Sequence, residues 1–123
     1  MKRSKVESDF DKRGEHMGIR DEVEQIVQKI NGKPERIRSL QAVYQFNLGN
    51  GEFLQVKFHG GQAELFDGTP HKADCRIILS EETFRKLLNN QLNAIAAYMS
   101  GALKVEGKLS LAFKLADVLK ACF

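Results

Sequence analysis

The sequence predicts an α+β domain in which a five-stranded, mostly antiparallel sheet carries its helices on one face. Three observations lead there. Short alternating apolar runs between Val43 and Leu79 are separated by turns rich in Gly and Asn. Apolar residues at helical spacing precede those runs and follow them. A last alternating run, Leu103 to Gly107, lies between two helical segments, so its strand must return to the sheet after a helical crossover.

The elements follow in order. Ile19, Val23, Ile26, Val27 and Ile30 share one helical face. Asn31-Gly32 and then Pro34 predict its end, because glycine tolerates the left-handed conformation that closes many helices and proline discourages continuation. Val43 to Leu48 puts Tyr44, Phe46 and Leu48 on one side. Phe53 to His59 does the same for Leu54, Val56 and Phe58, and Gly49-Asn50-Gly51 joins the two runs as a hairpin. After Gly60-Gly61 comes a third strand, Gln62 to Phe66. Asp67-Gly68-Thr69-Pro70 leads to a fourth, Ala73 to Leu79, and three successive turns point to a meander. Ser80 is a candidate cap for a helix with Glu81 and Glu82 in its first turn and Phe84, Leu87 and Leu88 on its apolar face. A second short helix turns Leu92, Ile95, Ala96 and Met99 inward and stops at Gly101. Ser110 is the expected cap of a last helix built on Leu111, Leu115, Val118, Leu119 and Cys122.

At 123 residues the chain suits one domain. Five basic residues against four acidic ones in positions 1 to 18 leave little to bury there. That segment reads as a flexible charged N-terminal arm, with residues 19 to 123 as the domain. Nineteen basic and sixteen acidic residues give a charge of +3, with acids interspersed and tryptophan absent, which argues against a nucleic-acid partner. No window approaches the roughly 20 apolar residues of a membrane span, and Met1-Lys2-Arg3 is not followed by a signal-peptide core, so a cytoplasmic location is expected. Cys75 and Cys122 form no closely spaced pair and read as free thiols.

Reactive constellations are sparse. Gly49, Gly51, Gly60 and Gly61 sit at hairpin turns without the lysine of a phosphate loop. Asp67, His71 and Asp74 are the nearest approach to a metal or acid-base cluster, and a polar surface loop accounts for them. Ser100 precedes Gly101 without a nucleophile-elbow pattern. No catalytic residue, metal or cofactor is expected.

The informative stretch is Leu92 to Leu119. Within it, Ala97-Tyr98-Met99-Ser100-Gly101-Ala102-Leu103-Lys104-Val105-Glu106-Gly107 and Leu111-Ala112-Phe113-Lys114-Leu115 resemble segments of the sterol carrier protein 2 family, the non-specific lipid-transfer domains. Phe53 to Lys57 and Ala73-Asp74-Cys75-Arg76-Ile77-Ile78-Leu79-Ser80 are similar to that family's strand positions, so the likeness runs from Ile19 to Leu119. Ala102 departs from the lysine common at its position, and the terminal Ala121-Cys122-Phe123 is not a peroxisomal signal. The resemblance implies a sterol carrier protein 2-like fold, a small stand-alone member, with an apolar tunnel for fatty acids, acyl-coenzyme A, phospholipid or sterol and no catalytic residues.

On that reading the candidate tunnel wall is Phe46, Phe53, Val56, Phe66, Ile78, Leu88, Met99, Leu103, Phe113, Leu115 and Leu119, while Lys104, Lys108 and Lys114 are candidate head-group contacts. Core packing or a homodimer face explains the same aromatics. A rigid, dry pocket of roughly 300 Å³ would cost about 7 kcal/mol, comparable to a small domain's whole stability, so either lipid occupies it or the last helix collapses inward. Expected partners are a long-chain lipid or other apolar molecule, a transient membrane-surface contact and a second copy of the chain. The alternative is a regulatory or structural interaction domain on the same fold. An enzyme would need an ionisable group beside the ligand, and Asp74 is the one strand acid to inspect.

Overall fold

The computed structural model describes residues 18–123. The segment read as a charged arm lies outside the described residues except for Gly18. Element order is α1 (Ile19–Asn31), β1 (Ala42–Asn47), β2 (Phe53–His59), β3 (Gln62–Asp67), β4 (Cys75–Leu79), α2 (Glu81–Leu88), α3 (Ala94–Ser100), β5 (Leu103–Gly107) and α4 (Leu109–Lys120), with a 3-10 turn at Pro34–Arg36 after α1.

The five strands form one sheet in the order β3-β2-β1-β4-β5. All pairs are antiparallel except β1 with β4. The meander therefore ends at β3, and the fourth strand lies beside the first in place of the third. The loop after β3 makes that return possible. The Gln55 side chain grips its main chain, accepting from the His71 amide (3.0 Å) and donating to the His71 carbonyl (2.8 Å). At the loop's end the Asp74 carboxylate accepts from the Val43 amide at 2.8 Å, and the Asp74 amide donates to the Val43 carbonyl. Asp74 is thus a strand-joining residue in the geometry, with no ion pair of its own among the described residues.

Strand alternation gives the sheet two unlike faces. On the inner face Phe46 lies opposite Leu54 and Ile77, Tyr44 opposite Val56 and Cys75, and Leu79 opposite Leu103. The outer face pairs Gln45 with Gln55, Lys57 with Glu64, Arg76 with Glu106 and Ile78 with Lys104. Helices cover the inner face, because only there does an apolar surface await them. Gly60 and Gly61 both take positive φ (59° and 79°), the conformation a two-residue hairpin turn demands.

Helix ends refine the sequence reading. Ser80 caps α2, its side chain accepting from the Thr83 amide. Gly32 ends α1 in a right-handed conformation (φ −73°), so the stop is the 3-10 turn started by Pro34 and not a left-handed glycine. Lys108, not Ser110, occupies the N-cap position of α4, since the helix already begins at Leu109. In α3 the inward face is also different: Ala97 is buried, while Ala96 and Met99 are exposed. Ala94 to Met99 carry no charge, so spacing alone offers no polar face to tell inside from outside.

Candidate functional site

Between the inner sheet face and the helices lies an apolar cavity of about 90 Å³. Its floor includes Phe46, Val56, Phe58 and Ile77. The buried stripe of α1, from Val23 to Ile30, forms one wall, and Phe84, Leu87 and Leu88 of α2 form another. Phe46 stacks on Phe84 with ring centroids 4.6 Å apart, fixing the junction of floor and wall. Arg85 pairs with Glu22, and Asn89 donates to the same carboxylate at 2.9 Å, tying α2 to α1.

The remaining wall, α4, is held at its start. Tyr44 is fully buried and donates its hydroxyl hydrogen to the Leu111 carbonyl at 2.7 Å. Burial raises the Tyr44 phenol well above its usual pKa, with smaller contributions from Cys75 and Asp74, so its donor proton stays in place. Gly107 sits just before the helix with φ +96°, and a Cβ there would meet the Asp74 carbonyl at 2.6 Å. Only glycine permits that approach. Beyond these anchors α4 presents Ala112, Phe113, Leu115, Ala116 and Leu119 to the cavity. Phe113 is also 42% exposed, Ile95 of α3 is 49% exposed, and Tyr98 meets the Phe113 ring edge-on at 6.5 Å. The cleft between α3 and α4 is therefore an apolar surface opening onto the cavity.

Ala94, Ile95, Leu87, Ala116 and Leu119 also border an open recess of about 350 Å³, whose other lining includes Asn90, Gln91, Asn93, Asp117, Lys120 and Phe123. Apolar cavity and polar recess thus share walls. Among the described residues the cavity lining carries no Asp, Glu, His, Cys, Lys, Arg or Ser, and Tyr98 supplies its one hydroxyl. Such a lining can hold hydrocarbon by shape and exclusion of water.

Of the residues singled out from sequence, Phe46, Val56, Leu88, Leu103, Phe113, Leu115 and Leu119 line the cavity. Phe53, Phe66 and Ile78 do not: alternation puts them on the outer face, where Phe66 packs edge-on against His71 at 4.5 Å. Met99 projects from α3 with 79% exposure. Lys104 shares the outer face with Ile78, and Lys108 and Lys114 are exposed residues outside both linings. Among the described residues the lysine at the recess is Lys120, which belongs to the same C-terminal group of basic residues as those three. Helical spacing placed the α1 stripe on one face without naming it as tunnel wall, and four of its five residues line the cavity.

The polar candidates disperse. Asp67 pairs with Arg20 at 2.8 Å, Asp74 joins β1, and His71 turns to Phe66. Among the described residues no three of His, Cys, Asp and Glu gather as a metal-holding group. Both cysteines are free, and burial raises both thiols' pKa values, opposed at Cys122 by Lys29 and Lys33. None of the described helices is long and apolar enough to cross a membrane.

Comparison with known proteins gives this geometry its relatives. Residues 23–120 match the model of the SCP-2 sterol transfer family. Hydroxysteroid dehydrogenase-like protein 2 of Rattus norvegicus is 37% identical over 109 residues, covering 85% of this chain and 20% of that protein. The chain spans about a fifth of the length of such curated relatives. Among solved structures, the sterol carrier protein domain 2 of Helicoverpa armigera superposes with a TM-score of 0.71 at 21% identity, over 83% of this chain and 85% of that one. Palmitated SCP2L2 from Aedes aegypti gives 0.70 at 22% identity, over 84% and 95%.

Proposed function

The chain belongs to the SCP-2 sterol transfer family, and on that premise we propose that its apolar cavity holds the hydrocarbon tail of a lipid, which the protein carries or presents without transforming it. The observation that carries this reading is the cavity lining, continuous in apolar character and opening through the α3–α4 cleft. Each buried methylene opposes release into water by about 0.8 kcal/mol, so a tail needs no polar partner to be retained. The palmitated Aedes aegypti chain supports the same reading through a shared fold.

Size dictates how binding proceeds. At about 90 Å³ the empty cavity costs about 2 kcal/mol, which a domain of ordinary stability tolerates. It is well below the roughly 300 Å³ at the small end of ligand sites. A long tail therefore enters only as a wall moves, and α4, anchored at its start and half-exposed beyond it, is that wall. Ile95, Tyr98, Met99 and Phe113, exposed around the cleft, meet a bilayer surface transiently while the tail crosses.

Gentle purification followed by organic extraction and mass analysis tests this reading. Long-chain lipid should be recovered, and palmitate at a hundred times its dissociation constant should raise the thermal transition of delipidated protein by about 10 °C. Ala116→Leu, which fills the cavity, should abolish that rise. An empty, stable dimer that no long-chain amphiphile stabilises would overturn the proposal.

A further inference from the structure

We propose that the recess at the far end of α4 is the head-group subsite of the cavity, and that it takes an uncharged head group rich in hydrogen-bonding groups, such as a polyol ester. The inference rests on the cavity being a tail site. Five residues wall both spaces, so a chain lying against Leu87, Ile95 and Leu119 brings its polar end into the recess. The recess carries the polar groups that the cavity lacks.

Their chemistry selects the head group. Asn93 is already engaged, its Oδ1 accepting from the Ala96 amide at 3.0 Å to cap α3. The side chains of Asn90, Gln91, Asp117 and Lys120 make no hydrogen bond or ion pair with other described residues. Two carboxamides both donate and accept, Lys120 donates, and Asp117 accepts. Asp117 and Lys120 lie three residues apart on one helix, so their formal charges cancel within the recess. A carboxylate drawn to Lys120 meets the repulsion of Asp117. A hydroxyl-rich neutral head can instead donate to Asp117 and accept from Lys120, Asn90 or Gln91. Lys104, Lys108 and Lys114, whose excess positive charge would favour an acid, lie outside this lining.

Calorimetric titration of delipidated protein with 1-monododecanoylglycerol and with dodecanoate at pH 7.5 tests the assignment, since the two ligands share a twelve-carbon acyl group. The glycerol ester should bind about threefold or more tightly than the acid, a preference sized for charges that remain in contact with solvent. Asp117→Asn should narrow that ratio by strengthening the acid, and Lys120→Gln should widen it. Ala112→Leu, in the cavity wall and outside the recess lining, should weaken both ligands alike. A wild type that prefers the acid, or a ratio indifferent to Asp117→Asn, overturns the head-group assignment alone. Binding of neither ligand to the wild type overturns the tail site as well.

Discussion

Helices α1 and α4 lie over the same sheet face and line the same cavity, yet they are packed to different degrees. In α1 every apolar residue of the stripe, Ile19, Val23, Ile26, Val27 and Ile30, is buried. Only Val118 of α4 reaches that state, while Phe113 remains 42% exposed and Leu115 and Leu119 are half-buried. The difference separates frame from wall. A helix whose apolar groups are all spent on the core cannot move without losing them, whereas one with apolar surface in reserve can exchange neighbours for a ligand at little cost.

Ile26→Ala in α1 should have the largest effect, about 3 kcal/mol of stability in a denaturant titration, because it enlarges a space whose surroundings cannot collapse. A loss below 1 kcal/mol would mean that α1 adjusts as freely as α4. Gly107→Ala should cost about 2 kcal/mol, since it combines a positive φ with collision against the Asp74 carbonyl where α4 is anchored. Its thermal transition should fall, and amide exchange in the first turn of α4 should quicken while α1 keeps its protection.

Legibility from sequence followed the same division. Alternation and helical spacing located α1 and all five strands, because each of those elements contrasts an apolar side with a polar one. The parallel placement of β4 was not legible: Asp67-Gly68-Thr69-Pro70 announces a reversal but not its destination, which depends on Gln55 and Asp74 gripping distant backbone. Nor could spacing separate cavity wall from core. Phe46 and Phe58 read alike whether they face side chains or a void, and parity placed Phe53, Phe66 and Ile78 on the other face from the start. Lys104, Lys108, Lys114 and Lys120 read alike in the sequence, because only the fold brings the loop at Asn90 and Gln91 beside Lys120.

Tyr44→Phe sharpens the comparison with a smaller change, about 1 kcal/mol, from loss of the hydrogen bond to Leu111. It carries a pH signature. The folded-state pKa of Tyr44 lies above the unfolded value near 10, so its contribution is intact below pH 10 and is lost as alkaline pH favours the ionised, unfolded form. Stability measured between pH 8 and 11 should fall more steeply in wild type than in Tyr44→Phe, and parallel curves would contradict the buried-phenol account. Smallest of all, Phe113→Ala should cost less than 1 kcal/mol in the ligand-free protein, since its ring is already part-exposed, yet it should weaken tail binding several-fold in a palmitate titration.

The most direct measurement is hydrogen exchange, residue by residue, on the delipidated protein with and without palmitate. A tail received by a movable wall should slow exchange across residues 112 to 120 by at least tenfold while leaving the already protected amides of α1 unchanged. Bound palmitate that leaves α4 exchange as it was, or that protects the outer-face loop around His71 instead, would contradict the account.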